Sequence, residues 1–216
     1  QIGATTFAGA IGSADATGGL VKSGAGTLTL SGSARYSGPT VITGGAIQLG
    51  ANNVLSNTSA ITLNGGALNL AGFKDTVGTL MVGGGGGTID FGAAICSALA
   101  FANSSGTWGG PLTITNYSTS GQDQLRFGTT AGGLSPAQLS QISFFNYGGA
   151  AGQIDDHGVV TPIPEPAAIV ACLGLASMKP NTFHYERSAT IAAPPATVFA
   201  VVNDFHMFGE WSPWEH

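Results

Sequence analysis

The chain has 216 residues, enough for one or two domains with a sizeable core, and a formal net charge of −5. Only 8% of its residues are charged while 43% are hydrophobic, which excludes intrinsic disorder, a state that needs low hydrophobicity and high net charge. Six basic residues against eleven acidic ones exclude the clustered cationic footprint of a nucleic-acid binder.

Thirty-five glycines, with many serines, threonines and asparagines, take the place of charge. Glycine costs a helix interior about 1 kcal/mol against alanine, whereas short strands and tight turns accommodate this mixture. The composition therefore predicts an all-β protein. Cys96 and Cys172 are the only cysteines and lack metal-ligand spacing, so both read as small buried thiols. Gln1 opens directly onto strand-like sequence with no signal peptide, which reads as other than a native start.

In chain order, the first feature is a repeat. The pieces TTFAG, GTLTLSG, AIQLG, ALNLAG and TIDFG place Phe7, Leu28, Leu49, Leu70 and Phe91 at steps of 21 residues. Another such step reaches Leu112, and Val21, Ile42 and Leu63 form a second series before Gly84. Apolar residues alternate with small polar ones inside each piece, so one face of each strand points inward. A fixed period of this length predicts a solenoid whose rungs bury their inner faces by stacking. Such a rung has room for three short strands and three turns, giving a parallel β-helix. Leu28, Leu49 and Leu70 are expected to form an internal ladder closed by Phe7 and Phe91, with the run Gly83 to Gly87 at a corner that needs positive φ. That run lacks the Lys-Ser/Thr and the helix of a phosphate loop.

The stretch GGLVKSGAGTLTLSGSARYSGPTVITGGAIQLG, Gly18 to Gly50, resembles the autotransporter-associated β-strand repeat of bacterial surface passenger domains. That resemblance implies a right-handed parallel β-helix outside the cell of a Gram-negative bacterium, with a scaffold or adhesin role and no catalytic activity.

From Phe101 to Val160 the repeat fades and aromatics enter. Strands are expected at Leu112 to Asn116 and Gln124 to Phe127. A short helix follows, with Ser135 as N-cap, Pro136 at its first position, and Leu139 and Ile142 on one face. Phe144 and Phe145 should resume a strand. A solenoid needs its last rung covered, and this segment is placed to be that C-terminal cap.

The segment TWGGPLTITNY through SFFNY, followed by VVTPIPEPAAIVACLGLA, resembles proteins bearing the PEP-CTERM sorting signal. That family implies recognition and removal of the signal by an inner-membrane exosortase, and delivery of the mature protein to the surface or the exopolysaccharide matrix. Pro164, Glu165 and Pro166 are the recognition residues by this resemblance, with the sorting machinery and then exopolysaccharide or the cell envelope as partners. The copy departs from the pattern. Ala167 to Ala176 supplies an apolar run of half the roughly 20 residues that a spanning helix needs, and Lys179 and Pro180 stand where an arginine cluster is expected.

At Met178 the composition changes: charge rises and glycine nearly vanishes. RSATIAAPPATVFAVVNDF and FGEWSPW resemble the N-terminus of START-like polyketide cyclases of the SRPBCC superfamily, helix-grip folds around a hydrophobic cavity. A strand at His184 to Ala192 and a helix at about Ala196 to Asn203 are expected in this incomplete α+β tail. So short a piece rarely folds without staples, and the cavity-forming sheet and long helix are missing from it. The reading is a composite frame divided into a repeat region (1–100), a cap (101–161), a truncated sorting signal (162–177) and a START-like fragment (178–216).

Few residues suggest chemistry. Asp155, Asp156 and His157 are the densest polar cluster, but adjacent loop residues usually point apart, so no metal site is expected. Asp15, Asp75, Asp90 and Asp123 are too scattered to predict a paired-carboxylate site. Trp211 and Trp214 read as exposed aromatics rather than as ligand walls. The expected function is that of a non-enzymatic surface or matrix protein without cofactor. A polysaccharide-active β-helix enzyme, or small-molecule binding by the START-like piece, is the alternative.

Overall fold

The computed structural model describes residues 3–94 and 96–164. The first rung comprises β1 (Ala4–Phe7), β2 (Ile11–Ala16) and β3 (Leu20–Lys22), and the second β4 (Thr27–Leu30), β5 (Ala34–Tyr36) and β6 (Thr40–Ile42). The third has β7 (Ala46–Leu49) and β8 (Ile61–Leu63) joined by an irregular stretch. The fourth has β9 (Ala67–Asn69), β10 (Lys74–Thr76) and β11 (Leu80–Val82). Next come β12 (Gly87–Asp90) with β13 (Ala98–Phe101), then β14 (Leu112–Thr115) with β15 (Gln124–Phe127) and α1 (Pro136–Gln141). Last are β16 (Ile142–Phe144), β17 (Gly152–Ile154) and β18 (Val159–Pro162).

Like strands stack on like. Side one is a seven-stranded sheet in the order β1-β4-β7-β9-β12-β14-β16, and side two the sheet β3-β6-β8-β11, all parallel. Side three holds the parallel pair β2-β5, then β10-β13-β15 continuing into antiparallel β18 and β17. This is a parallel β-solenoid, as the composition and the repeat predict.

The side-one ladder corrects the sequence register. Leu30, not Leu28, pairs with Leu49; Leu28 pairs with Ile47. Two inner columns result. One runs Leu28, Ile47, Leu68, Ile89, Ile114 and Phe144. In the other, Phe7 pairs with Leu30 and Leu30 with Leu49, and Leu70 and Phe91 each stand one residue past the paired Asn69 and Asp90. Rungs differ in length because their corners do, so the 21-residue step is met between β7, β9 and β12 and missed on either side. A slip of two residues keeps inner residues inside, so Leu28 still packs against the core, half-buried, while Leu30 is buried. Phe7 is 44% exposed and closes nothing. On side two, Lys22 rather than Val21 pairs with Ile42, and Val21 is 68% exposed. Ile42, Leu63 and Val82 complete that inner column.

The corner reading of the glycine run holds at Gly86, where φ is +69°. A Cβ at neighbouring Gly87 would stand 2.4 Å from the Leu63 Cβ, so stacking itself demands glycine there.

Past β15 the repeat gives way to a helix, a 3₁₀ turn and an antiparallel strand pair. Helix α1 begins as its sequence dictates: the Ser135 hydroxyl accepts from Gln138 N–H, and Gln138 Oε1 accepts from Ser135 N–H, with Pro136 in the first turn. Gln138 Nε2 donates to the Ser104 carbonyl and Gln141 Nε2 to that of Trp108, tying α1 to the rung beneath. Ile142 caps this helix and opens β16 instead of sharing a helical face with Leu139. Phe145 leaves the strand for a 3₁₀ turn, Phe145–Tyr147, and is 72% exposed. The inner end is filled by aromatics: Tyr117 packs edge-on against Phe91 (5.0 Å between centroids) and Phe144 (5.1 Å), and Phe101 stacks on Phe127 (4.9 Å).

No helix among the described residues is long and apolar enough to cross a membrane. The apolar run Ala167 to Ala176, Cys172 and the START-like piece with its expected strand, helix, Trp211 and Trp214 lie outside the described residues.

Candidate functional site

Side three is the irregular wall, and its third rung has no strand between β5 and β10. Strand β10 alternates so that Asp75 points inward while Lys74 and Thr76 face out. The Asp75 carboxylate takes the missing ladder's place. Its Oδ2 accepts from Val54 N–H and Leu55 N–H, both at 3.0 Å, and its Oδ1 from Thr76 N–H at 2.8 Å. Burial pushes its pKa up to about 6, against the opposing pull of those three N–H groups.

A chain of hydroxyls lies beside it. Ser59 donates to the Gly38 carbonyl (2.9 Å), so Thr40 must donate to Ser59 (2.9 Å) and Tyr36 to Thr40 (2.7 Å). All three side chains are buried. The Tyr36 phenol is raised above its ordinary pKa by burial and by the nearby Asp75 charge, which outweigh its bond to Thr40. With every proton committed, this network locks the second and third rungs together.

The other carboxylates are structural too. Buried Asp123 accepts from Ser97 N–H and Ser118 N–H. Asp90, on the outer edge of side one, accepts from Asn69 Nδ2 on the rung before and Asn116 Nδ2 on the rung after, and from Gly92 N–H. Each of these carboxylates has its own set of donors. Asp15 lies on β2, apart from all three along the chain. Tyr117, buried in the aromatic end, is pushed up to about 12 by burial, with Asp123 and Tyr147 adding to it.

The structure brings Asp155, Asp156 and His157 closer than adjacent loop residues were expected to come: one ligand atom from each lies within 4.8 Å of the others. The cause is the β17–β18 turn. Asp155 Oδ1 accepts from the backbone N–H groups of His157 and Val159, and His157 Nδ1 meets Asp156 at 2.7 Å. All three are exposed. Cys96, expected buried, is half-buried with φ +68°.

Of the sorting-signal residues, Pro164 is exposed two residues after β18 ends, while Glu165 and Pro166 lie outside the described residues. An open groove of about 270 Å³ crosses the corner between sides two and one, lined by Gly45, Gly65, Gly66, Gly85, Thr88 and Thr113 among others.

Residues 20–49 match the family model of the Passenger-associated-transport-repeat. That span runs from β3 to the end of β7, one circuit of the solenoid and the next side-one strand. No curated protein and no solved structure matches the chain. A β-solenoid carrying this repeat fits a surface-associated or secreted protein.

Proposed function

We propose that the chain is a non-enzymatic structural or adhesive protein of the bacterial cell surface or extracellular matrix, and that Pro164-Glu165-Pro166 is the recognition element of an exosortase-type sorting signal, truncated in this copy. The observation that carries this reading is a parallel solenoid containing a passenger-associated repeat. Its carboxylates support the non-enzymatic part: Asp75, Asp90 and Asp123 each hold their own backbone amides or asparagines, and no two share a donor as a paired acid and base would. The position of the signal supports the sorting part. Its first residue, Pro164, is exposed two residues past the end of β18, outside the paired strands.

The apolar run after the signal is about half of a membrane span, and this sets the experiment. In a bacterium with the sorting machinery, the chain as it stands should show little cleavage near Pro164. A variant whose apolar run is extended to about 20 residues and followed by arginines should be cleaved and displayed. Failure of the extended variant to be cleaved or displayed would reject the sorting route. Shortening of an acidic polysaccharide by the purified protein would reject the non-enzymatic reading.

A further inference from the structure

Side three carries the solvent-facing cations. Among the described residues the basic side chains are Lys22, Arg35, Lys74 and Arg126. Lys22 on side two is occupied, its Nζ donating to the carbonyls of Ser23, Gly24 and Gly44. The other three lie on side-three strands β5, β10 and β15, facing away from the buried Tyr36, Asp75 and Leu125. None of their side chains has a hydrogen bond or ion pair among the described residues, and Arg126 Nε is buried without an acceptor.

The register turns two of them into a grid. Lys74, Ala98 and Gln124 form one outward column, and Thr76, Ala100 and Arg126 the next. Lys74 and Arg126 thus stand at opposite corners, roughly 12 Å apart along the diagonal at about 4.8 Å per rung and 3.3 Å per residue. Thr76 and Gln124 hold the other corners, and Ala98 and Ala100 make a low floor between them. Arg35 continues the cationic side two rungs before Lys74. The exposed Asp155 and Asp156 bound it at the β17–β18 turn.

We propose that this side binds a linear, carboxylate-bearing polysaccharide, Lys74 and Arg126 meeting its carboxylates across the alanine floor and Thr76 and Gln124 taking its hydroxyls. The inference rests on the surface or matrix reading for its setting. Polar, flat and without an aromatic anchor, the grid lacks the hot spot of a protein interface and the stacking platform of a single-strand nucleic-acid site. Arg126 Nε is itself buried, so a carboxylate would be met by the two outer Nη groups of this guanidinium, which have no acceptor among the described residues.

The test is retention of the intact chain in gels containing polygalacturonate, with dextran, free galacturonic acid and duplex DNA as separate arms. Retention by the acidic polymer, none by dextran, and little competition from the free acid at equal carboxylate are expected, because the polymer engages several contacts at once. Lys74→Gln with Arg126→Gln should weaken retention at least about tenfold, two charge-assisted bonds being lost. Neither side chain holds the fold, so the melting midpoint of this double variant should stay in place. No retention, retention undiminished in the double variant, or equal binding of DNA would overturn the proposal. Surface display of the extended-signal variant without retention removes only this binding face, whereas retention with that variant never displayed leaves the face standing and removes the sorting reading.

Discussion

Asp75 makes one rung of this solenoid sensitive to pH. Its pKa in the fold, about 6, lies above the ordinary 3.8, so the folded state favours the protonated acid. The favourable contribution is complete below about pH 3.8 and is lost as pH rises through 6. Two pK units are worth about 3 kcal/mol, and the 3% exposure of this residue leaves little room for solvent screening. Stability should therefore fall by about that much between pH 4 and pH 7. Asp75→Asn, which keeps an acceptor for Val54 and Leu55 N–H but no charge, should flatten that slope in urea titrations run across the window. An equal slope in the variant would assign the effect elsewhere. In sequence Asp75 looks like a surface acid in the polar triplet Lys74-Asp75-Thr76. Only the pairing of β10 with β13, which sets Asp75 beside Leu99, shows that it points inward.

At the scale of elements, what was legible is what local chemistry dictates. Ser135, Pro136 and Gln138 spell a helix start, and α1 begins there. Gln124 to Phe127 alternates and forms β15 with those ends. Register was not legible, because alternation has period two and a two-residue slip leaves the inside-outside pattern unchanged. Corner length decides it, as when the short corners between β4 and β7 set Leu30 rather than Leu28 on Leu49. Leu30→Ala should accordingly cost about 3 kcal/mol, the usual range for a buried leucine, and Leu28→Ala clearly less. Equal losses in denaturant midpoints would restore the 21-residue ladder. For α1, Ser135→Ala should cost about 1 kcal/mol through loss of the cap. Gln138→Leu should cost more, about 2 kcal/mol, because the Ser104 carbonyl and Ser135 N–H both lose a partner. If Gln138→Leu melts like the wild type, the link from α1 to the rung beneath carries no weight.

Along the described solenoid, burial is graded. All of β1 is exposed and β4 buries only Leu30 fully, whereas β12 and β14 lie over Ile89, Phe91, Leu112 and Ile114, each fully buried, and next to the aromatic end. In a solenoid each rung contacts only its neighbours, so stability is a sum of rung and interface contributions and need not be shared evenly. Amide exchange under native conditions should thus be fastest in β1 to β3, slower through β7 and β8, and slowest in β12 to β15. The hydroxyl chain Tyr36, Thr40 and Ser59 marks the step, since it joins the second rung to the third. Tyr36→Phe removes its first donor while keeping the ring. That variant should speed exchange in β5 and β6 severalfold and leave β12 to β15 unchanged. A uniform rise in every rung would mean that the solenoid opens as one cooperative unit, and the graded account would then be wrong.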